Sequence, residues 1–384
     1  MDNIYLQELI WEAQSRGGGL ILNVDNQPAA VVLTVDKYNE LLNHAAADPV
    51  APAARSQYAM NMDKPKILVT GGAGYIGGHL VKQLCDANYE VSVIDNLSTG
   101  KRENVDSRAK FVEGDLADEN LLRDVLTANG IGAVFHMAAS IEVEESVRQP
   151  DKYFNNNVVN TAKLLLAMQE TGVKKIIFSS SAAVYGEQEQ QPISETAKLR
   201  PNNPYGHTKM LGEKLIRYFC QHAGMRSVVF RYFNACGCDF DGKIKPTHES
   251  HLIPIVLGVA AGKRPAITVY GDDYNTTDGT CLRDYVHVLD ICHAHLLALP
   301  ALDQGDSFKI YNIGTGKGLS VKEIINGASE TLNKIIPMEI GTRRAGDAPA
   351  TVADNTKISR ELDFSCEYSD LPTIINTSWK QING

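Results

Sequence analysis

The chain has 384 residues, enough for one large domain or two to three smaller ones, and with 43% apolar and 22% charged residues it can bury a sizeable core. A formal net charge of −9 leaves no broad basic face and argues against a general nucleic-acid surface. Seven scattered cysteines make no disulfide framework in a chain this long, and without a leader or a run of 18 apolar residues the expectation is a soluble, cytoplasmic protein that enters no membrane.

Residues 4–15 carry a helical pattern that Gly17 to Gly19 stops. Residues 20–24 and 29–35 read as two strands around Asp25-Asn26-Gln27-Pro28, and Asp36 caps a short helix over 37–44. The Ala- and Pro-rich stretch 45–62 is a linker. Residues 66–80, KILVTGGAGYIGGHL, organise the rest of the chain. Ile67, Leu68 and Val69 suit a strand buried on both faces, Gly71, Gly74 and Gly77 follow at three-residue steps, and helical spacing begins at Tyr75. Strand, glycine turn and helix in that order form a pyrophosphate cradle: Gly71 for the tight turn, Gly74 for backbone approach to the phosphates, Gly77 for close helix packing. Strand patterns then recur at 90–95, 110–113, 133–137, 175–179 and 227–232, with helical patterns between them, notably 151–171 and 204–222. Such alternation implies an α/β, Rossmann-type doubly wound parallel sheet. After Asn234 the pattern turns irregular, with helices near 251–261, 290–299 and 321–332. The expected organisation is a small α+β extension with linker over 1–62 and a nucleotide-binding domain over 63–240. A smaller mixed region over 241–384 folds over the carboxyl ends of the strands, and it is left open whether the chain crosses back.

Asp95 ends the second strand, 18 residues after Gly77. A carboxylate there accepts both hydroxyls of an adenine ribose and repels a 2′-phosphate, favouring NAD over NADP; the alternative is a solvated acidic turn. Asp115 is placed either to hydrogen-bond an adenine amino group or to cap a helix over 116–127. Ser179, Ser180 and Ser181 end the fifth strand, where a hydroxyl faces either the crevice or the backbone. Tyr205 and Lys209 lie one helical turn apart. An ammonium beside a phenol favours phenolate, so Tyr205 is a candidate general base near neutral pH. No metal site is expected. Cys236-Gly237-Cys238 is too tight for an ordinary disulfide and is followed by no ligands at zinc spacing, and His248, His251, His293 and His295 lack partners at metal spacing.

These motifs, in this order, resemble the extended short-chain dehydrogenase/reductase superfamily, and within it the UDP-glucose 4-epimerases. VTGGAGYIGGHL, VIDNLSTG, GDL, SSSAAVYGE, NPYGHTKMLGE and RYFNACG carry the superfamily pattern, while YGDDYNTTDGTCLRDYVHV and RRAGDAPATVADNTKISREL are particular to the epimerases. The resemblance implies tightly bound NAD held by the glycine loop with Tyr75 and Ile76 and by the turn Asp95, Asn96, Leu97, Ser98, Thr99 and Gly100. Asp115, Leu116, Met137, Ala138, Ala139, Asn157, Ser179 and Phe233 complete that site with Tyr205 and Lys209. It makes Ser181, Tyr205 and Lys209 catalytic, and gives the UDP-hexose to Ser181, Tyr205, Asn234, His251, Leu252, Thr268, Val269, Tyr270, Arg283, Arg344, Asp347 and Thr351. Arg283 and Arg344 suit a diphosphate, although each taken alone reads as a surface ion pair. It also implies a homodimer. Ile141 departs from the family, standing where some epimerases carry a lysine. Thr351 stands where a tyrosine goes with plain hexoses and a small residue with N-acetylhexosamines; its other reading is an ordinary strand residue. A nucleotide-sugar 4,6-dehydratase would need an Asp-Glu pair where this chain has Ala182-Ala183, and a non-catalytic NAD-binding regulator need not keep Tyr205 and Lys209. Residues 17–42 resemble, more faintly, the Phd/YefM antitoxin family.

Overall fold

The computed structural model describes residues 19–24, 27–33, 64–244, 251–344 and 347–383. The chain forms two compact units, Met1–Asp63 and Lys64–Gly384. In the first, β1 (Gly19–Val24) and β2 (Gln27–Leu33) pair antiparallel, with Gly19 opposite Leu33. These are the two strands expected around the Asp25–Pro28 turn. The expected helices over 4–15 and 37–44 and the linker lie outside the described residues, so of the antitoxin-like pattern only the hairpin is described.

The second unit runs β3 (Lys66–Thr70), α1 (Tyr75–Asp86), β4 (Val91–Asp95), β5 (Lys110–Glu113), α2 (Glu119–Ala128), β6 (Ile131–His136), α3 (Val143–Arg148), α4 (Pro150–Phe154), α5 (Asn160–Thr171), β7 (Lys175–Ser181), α6 (Pro204–His222), β8 (Arg226–Tyr232) and β9 (Asn234–Cys236). It continues through α7 (Leu252–Ala260), β10 (Ile267–Tyr270), β11 (Leu282–Arg283), β12 (Tyr285–His287), α8 (Val288–Ala301), β13 (Phe308–Ile313), β14 (Leu319–Ser320), α9 (Val321–Leu332), β15 (Met338–Gly341), β16 (Ala350–Thr351), α10 (Thr356–Leu362) and α11 (Leu371–Asn383). Seven parallel strands make the main sheet in the order β13-β8-β7-β6-β3-β4-β5.

Successive strand side chains alternate faces, so β3 divides its apolar run between two cores. Ile67 and Val69 pack with Leu80 and Leu84 of α1 and with Ile291 and Ala294 of α8. Leu68 packs on the other face with Leu122 of α2, Leu164 of α5 and Ile216 of α6. Burial on both faces explains the continuous apolar strands. Six sheet strands fall where the alternation put them. The seventh, β13, brings the chain back from the C-terminal region to pair with β8 from Phe308/Ser227 to Ile313/Tyr232.

Three local findings refine the expectations. The helix expected over 151–171 is present as one continuous helical run, α4 passing through a π turn at Asn155–Val159 into α5. Asp115 is not a helix cap. Asp118 takes that place, its Oδ1 accepting from the amides of Asn120 and Leu121, and α2 begins at Glu119. The C-terminal region is built from three small sheets, β10-β15, β14-β11-β16 and β12-β9, which carry loops toward the carboxyl ends of the main strands. Among the described residues no helix is long and apolar enough to cross a membrane.

Candidate active site

A cavity of about 920 Å³ opens along the carboxyl ends of β3, β4, β6 and β7 and continues between them and the C-terminal loops. At its first end lies the glycine turn. Gly71 has φ +72°, and a Cβ there would stand 2.6 Å from the Ala138 amide nitrogen, so the loop requires glycine on both counts. A Cβ at Gly77 would lie 2.1 Å from the Gly71 carbonyl oxygen; its absence lets α1 start against the loop and turn its N-terminal amides toward the cavity. Asp95 braces this turn, Oδ2 accepting from the Ala73 amide at 3.0 Å and Oδ1 from Leu97 at 2.9 Å. Asp115 accepts from Asn96 Nδ2 at 2.6 Å and from the Ala117 amide at 2.8 Å, which holds both carboxylates on the cavity rim. A Cβ-free cradle, a helix N-terminus and a carboxylate at the end of β4 are a donor and acceptor set that fits a dinucleotide without a 2′-phosphate.

Alternation along β7 separates the three serines. All three touch the cavity, but the Ser180 hydroxyl turns to Glu213 Oε1, donating at 2.5 Å, whereas the Ser179 and Ser181 side chains leave the strand on its other face. The Ser181 hydroxyl oxygen accepts from the Ala183 amide at 3.2 Å, which leaves its proton to be given to a bound oxygen. On α6, Tyr205 and Lys209 face the same cavity, and Lys209 Nζ donates to the Ser179 carbonyl at 2.7 Å and lies 6.0 Å from the Tyr205 ring centre.

The electrostatics differ from the expectation of a phenol acidified by its lysine. Burial pushes the Tyr205 phenol above its usual value of 10.0; the neighbouring Ser181 hydroxyl pulls it down and the Glu142 carboxylate adds to the rise. Burial also pulls Lys209 from 10.5 down to about 7, opposed by Glu213. Desolvation therefore draws both the phenol and the ammonium toward their neutral forms.

At the far end, Arg283 donates to the Leu282 and Ala348 carbonyls at 2.9 and 2.8 Å and lies 3.4 Å from Asp347 Oδ1. The Arg344 guanidinium stacks on the Tyr270 ring at 3.9 Å. His251, Leu252, Asn234, Phe233, Thr268 and Thr351 also line the cavity, and so does Ile141, which follows β6 where some epimerases carry a lysine.

Three expected residues do not line the cavity. Leu97 supplies its amide to Asp95. Val269 is 1% exposed because β10 alternates, sending Thr268 and Tyr270 outward. Asn157 is buried and works as a brace: its Nδ2 donates to the Ser140 carbonyl and to Thr208 Oγ1, and its Oδ1 accepts from the Ser140 amide.

The pattern of the NAD dependent epimerase/dehydratase family matches residues 67–314. The chain belongs to this family. A UDP-glucose 4-epimerase of Lacticaseibacillus casei is 46% identical over 315 residues, 82% of this chain and 95% of that one. The crystal structure of a UDP-glucose 4-epimerase from Brucella ovis in complex with NAD is 43% identical, with a TM-score of 0.79 over 82% of this chain and 98% of that one. The UDP-Glc/GlcNAc 4-epimerase of Campylobacter jejuni is 38% identical, with a TM-score of 0.75 over 84% and 100% of the two chains.

Two supports of this epimerase-family site escape a reading of the sequence. The first is the pair Glu213–Arg231, 4% and 2% exposed and 2.6 Å apart. Arg231 also donates from Nε to Glu213 Oε1 at 2.9 Å and from Nη1 to the Tyr185 hydroxyl at 2.9 Å, tying α6, β7 and β8 together behind Lys209. Glu213 was available as the next residue on the Tyr205/Lys209 helix face; its partner, on a distant strand, was not. The second is Asp284, fully buried. Its carboxylate accepts from Thr315 N and Oγ1, Gly316 N and Ala353 N at 2.7–3.1 Å. Its main chain gives its N–H to Thr351 and takes two hydrogen bonds from Asn234. This one residue fixes the backbones of Asn234, Arg283 and Thr351.

Proposed function

We propose that this protein is a UDP-glucose 4-epimerase, interconverting UDP-glucose and UDP-galactose at C4 through a 4-keto sugar. The observation that carries the reading is the convergence, on one cavity, of Ser181, Tyr205 and Lys209 with the glycine cradle on one side and Arg283 and Arg344 on the other. NAD, when bound, supplies the group that takes hydride from C4 and returns it to the opposite face of the sugar. The chain does the rest. Tyr205 in its ionised form takes the proton from the 4-hydroxyl and later gives it back, and Ser181 donates a hydrogen bond to the same oxygen. Lys209, held on the Ser179 carbonyl, supplies positive charge beside the phenol when protonated. Arg283 and Arg344 hold the diphosphate, and Asp347, 3.4 Å from Arg283, helps to hold the UDP-sugar beside them. A 4,6-dehydratase is disfavoured because Ala182 and Ala183, which line the cavity after Ser181, offer no acid for elimination.

Two finer readings go with it. The small side chain at Thr351 favours acceptance of N-acetylhexosamines beside plain hexoses. A homodimer is favoured by exposed apolar side chains on adjoining helical segments, Val159 and Leu166 seven residues apart and Tyr218 on α6, at 46%, 49% and 63% exposure. None of the seven cysteines is in a disulfide, which suits a reducing, cytoplasmic location. The test is incubation of the pure protein with UDP-galactose and chromatographic identification of UDP-glucose and of the nucleotide released on denaturation. Recovery of unchanged substrate, or of NADP, overturns the reading. Tyr205→Phe removes the base and is expected to lower kcat by about 10²-fold or more; near-normal turnover rules out its role.

A further inference from the structure

Between α1 and the segment after β9, the fold brings a histidine against two adjacent side chains that the sequence keeps about 160 residues away from it. His79 comes from α1, and Cys238 and Asp239 come from the segment after β9. All three are buried, and one ligand atom from each lies within 4.8 Å of the others. We propose that His79, Cys238 and Asp239 form a binding site for a divalent zinc-like cation, independent of the dinucleotide and of the sugar.

The geometry of the donors supports a tetrahedral ion. Bond lengths of about 2.0–2.3 Å for nitrogen, oxygen and sulfur ligands put the ligands of one zinc roughly 3.5 Å apart. Here Cys238 Sγ lies 3.0 Å from Asp239 Oδ1, and Asp239 Oδ1 lies 3.8 Å from His79 Nε2. The Ile244 carbonyl oxygen lies 3.4 Å from Cys238 Sγ and, although it already accepts from Gln381 Nε2 at 2.5 Å, keeps a second lone pair for a fourth position. These edges bracket the required spacing, and the remaining edge between Cys238 Sγ and His79 Nε2, within 4.8 Å, closes with a combined shift of up to about an ångström.

The protonation pattern is that of a ligand set. His79 Nδ1 meets the Tyr75 carbonyl at 2.8 Å and must carry its proton there, which leaves the Nε2 lone pair facing the cluster. That lone pair accepts the Asp239 amide at 3.0 Å, a bond the ion replaces. Asp239 Oδ2 is the second, independent observation. It is buried in a residue 5% exposed and has no hydrogen-bond partner among the described residues. An oxygen left bare in this way is costly for a carboxylate, and a cation held by both carboxylate oxygens removes the cost. One thiolate and one carboxylate neutralise a dication; the Cys238 proton passes to solvent as the sulfur–metal bond forms. Thiolate, imidazole and carboxylate together select zinc or cobalt over magnesium or calcium. The ion would pin the pyrophosphate-loop helix to the 237–244 segment, at the junction where the Tyr75 hydroxyl already donates to the Gly237 carbonyl at 2.5 Å.

The test uses the untagged full chain, stripped with a chelator and titrated with Co²⁺ and Zn²⁺. The expected result is one equivalent of Co²⁺ with a thiolate-to-cobalt absorption band and the intense visible bands of a tetrahedral ion, displaced by Zn²⁺, together with a rise in melting temperature. Cys238→Ser is expected to abolish the thiolate band, and Asp239→Asn to weaken binding tenfold or more. Cys236→Ser, a nearby buried thiol outside the cluster, is expected to leave both unchanged. The proposal is overturned if the parent chain binds Co²⁺ without a thiolate band or not at all. It is equally overturned if the band survives Cys238→Ser. Because the decisive spectrum is taken on the parent protein, poor folding of a variant does not rescue the idea.

Discussion

Lys209→Met should make the protein more stable while it disables the enzyme. Lys209 is 2% exposed, and burial brings its ammonium from 10.5 to about 7. A fall of that size corresponds to roughly 5 kcal/mol spent on holding a proton in the folded state. Methionine keeps the unbranched stem and about the same volume. It loses the hydrogen bond to the Ser179 carbonyl, worth about 1 kcal/mol, and some of the attraction to Glu213. The net expectation is a gain of about 2–4 kcal/mol at pH 6, or roughly 4–8 °C in Tm for a unit of this size. The sign is set by which state binds more protons. Below about 7 both states carry the proton and the full cost is felt; between about 7 and 10.5 the folded state has shed it and the unfolded state has not. The advantage of methionine is therefore greatest at pH 6 and shrinks steadily toward pH 10. Thermal unfolding of nucleotide-free protein at pH 6 and pH 9 measures it, and kcat on the loaded enzyme should fall, with the residual activity moved to higher pH. A variant that melts below the parent at pH 6, or by a margin independent of pH, would refute the reasoning.

Arg231→Met leaves Glu213 buried without its partner and should cost about 3–5 kcal/mol. The double change Glu213→Leu/Arg231→Met should recover most of that loss in urea unfolding; a double variant as unstable as the single one would show that the charge was not the cause. Asp284→Asn should raise KM for UDP-galactose roughly tenfold, about 1.4 kcal/mol, with bound NAD unchanged. An unchanged KM would mean that the placing of Asn234, Arg283 and Thr351 does not depend on the carboxylate's hold on Thr315, Gly316 and Ala353. Thr351→Tyr should abolish turnover of UDP-N-acetylgalactosamine and keep that of UDP-galactose, read as kcat/KM for each; a parent enzyme that already ignores the acetamido sugar contradicts the open-pocket reading.

The sequence by itself determined the features that repeat or are local. Apolar runs such as Ile67–Val69 and Ile176–Phe178 are buried on both faces of a parallel sheet, and only that arrangement makes a strand apolar without alternation. The Gly71/Gly74/Gly77 spacing, the carboxylate at the end of β4 and the one-turn step from Tyr205 to Lys209 are short-range, so their chemistry was legible from the residues alone. Tertiary structure decided whatever joins distant segments or depends on solvent access. It brought β13 back to the sheet, and it supplied Arg231 to Glu213, and Asp239 and Cys238 to His79, across separations that no local pattern encodes. It sent Val269 inward by strand alternation and made Asn157 a brace. It also reversed the expected acidity of Tyr205: adjacency of a phenol and an ammonium is written in the sequence, but the burial that pushes the phenol up and the ammonium down arises only when the sheet, α6 and the C-terminal loops close around them.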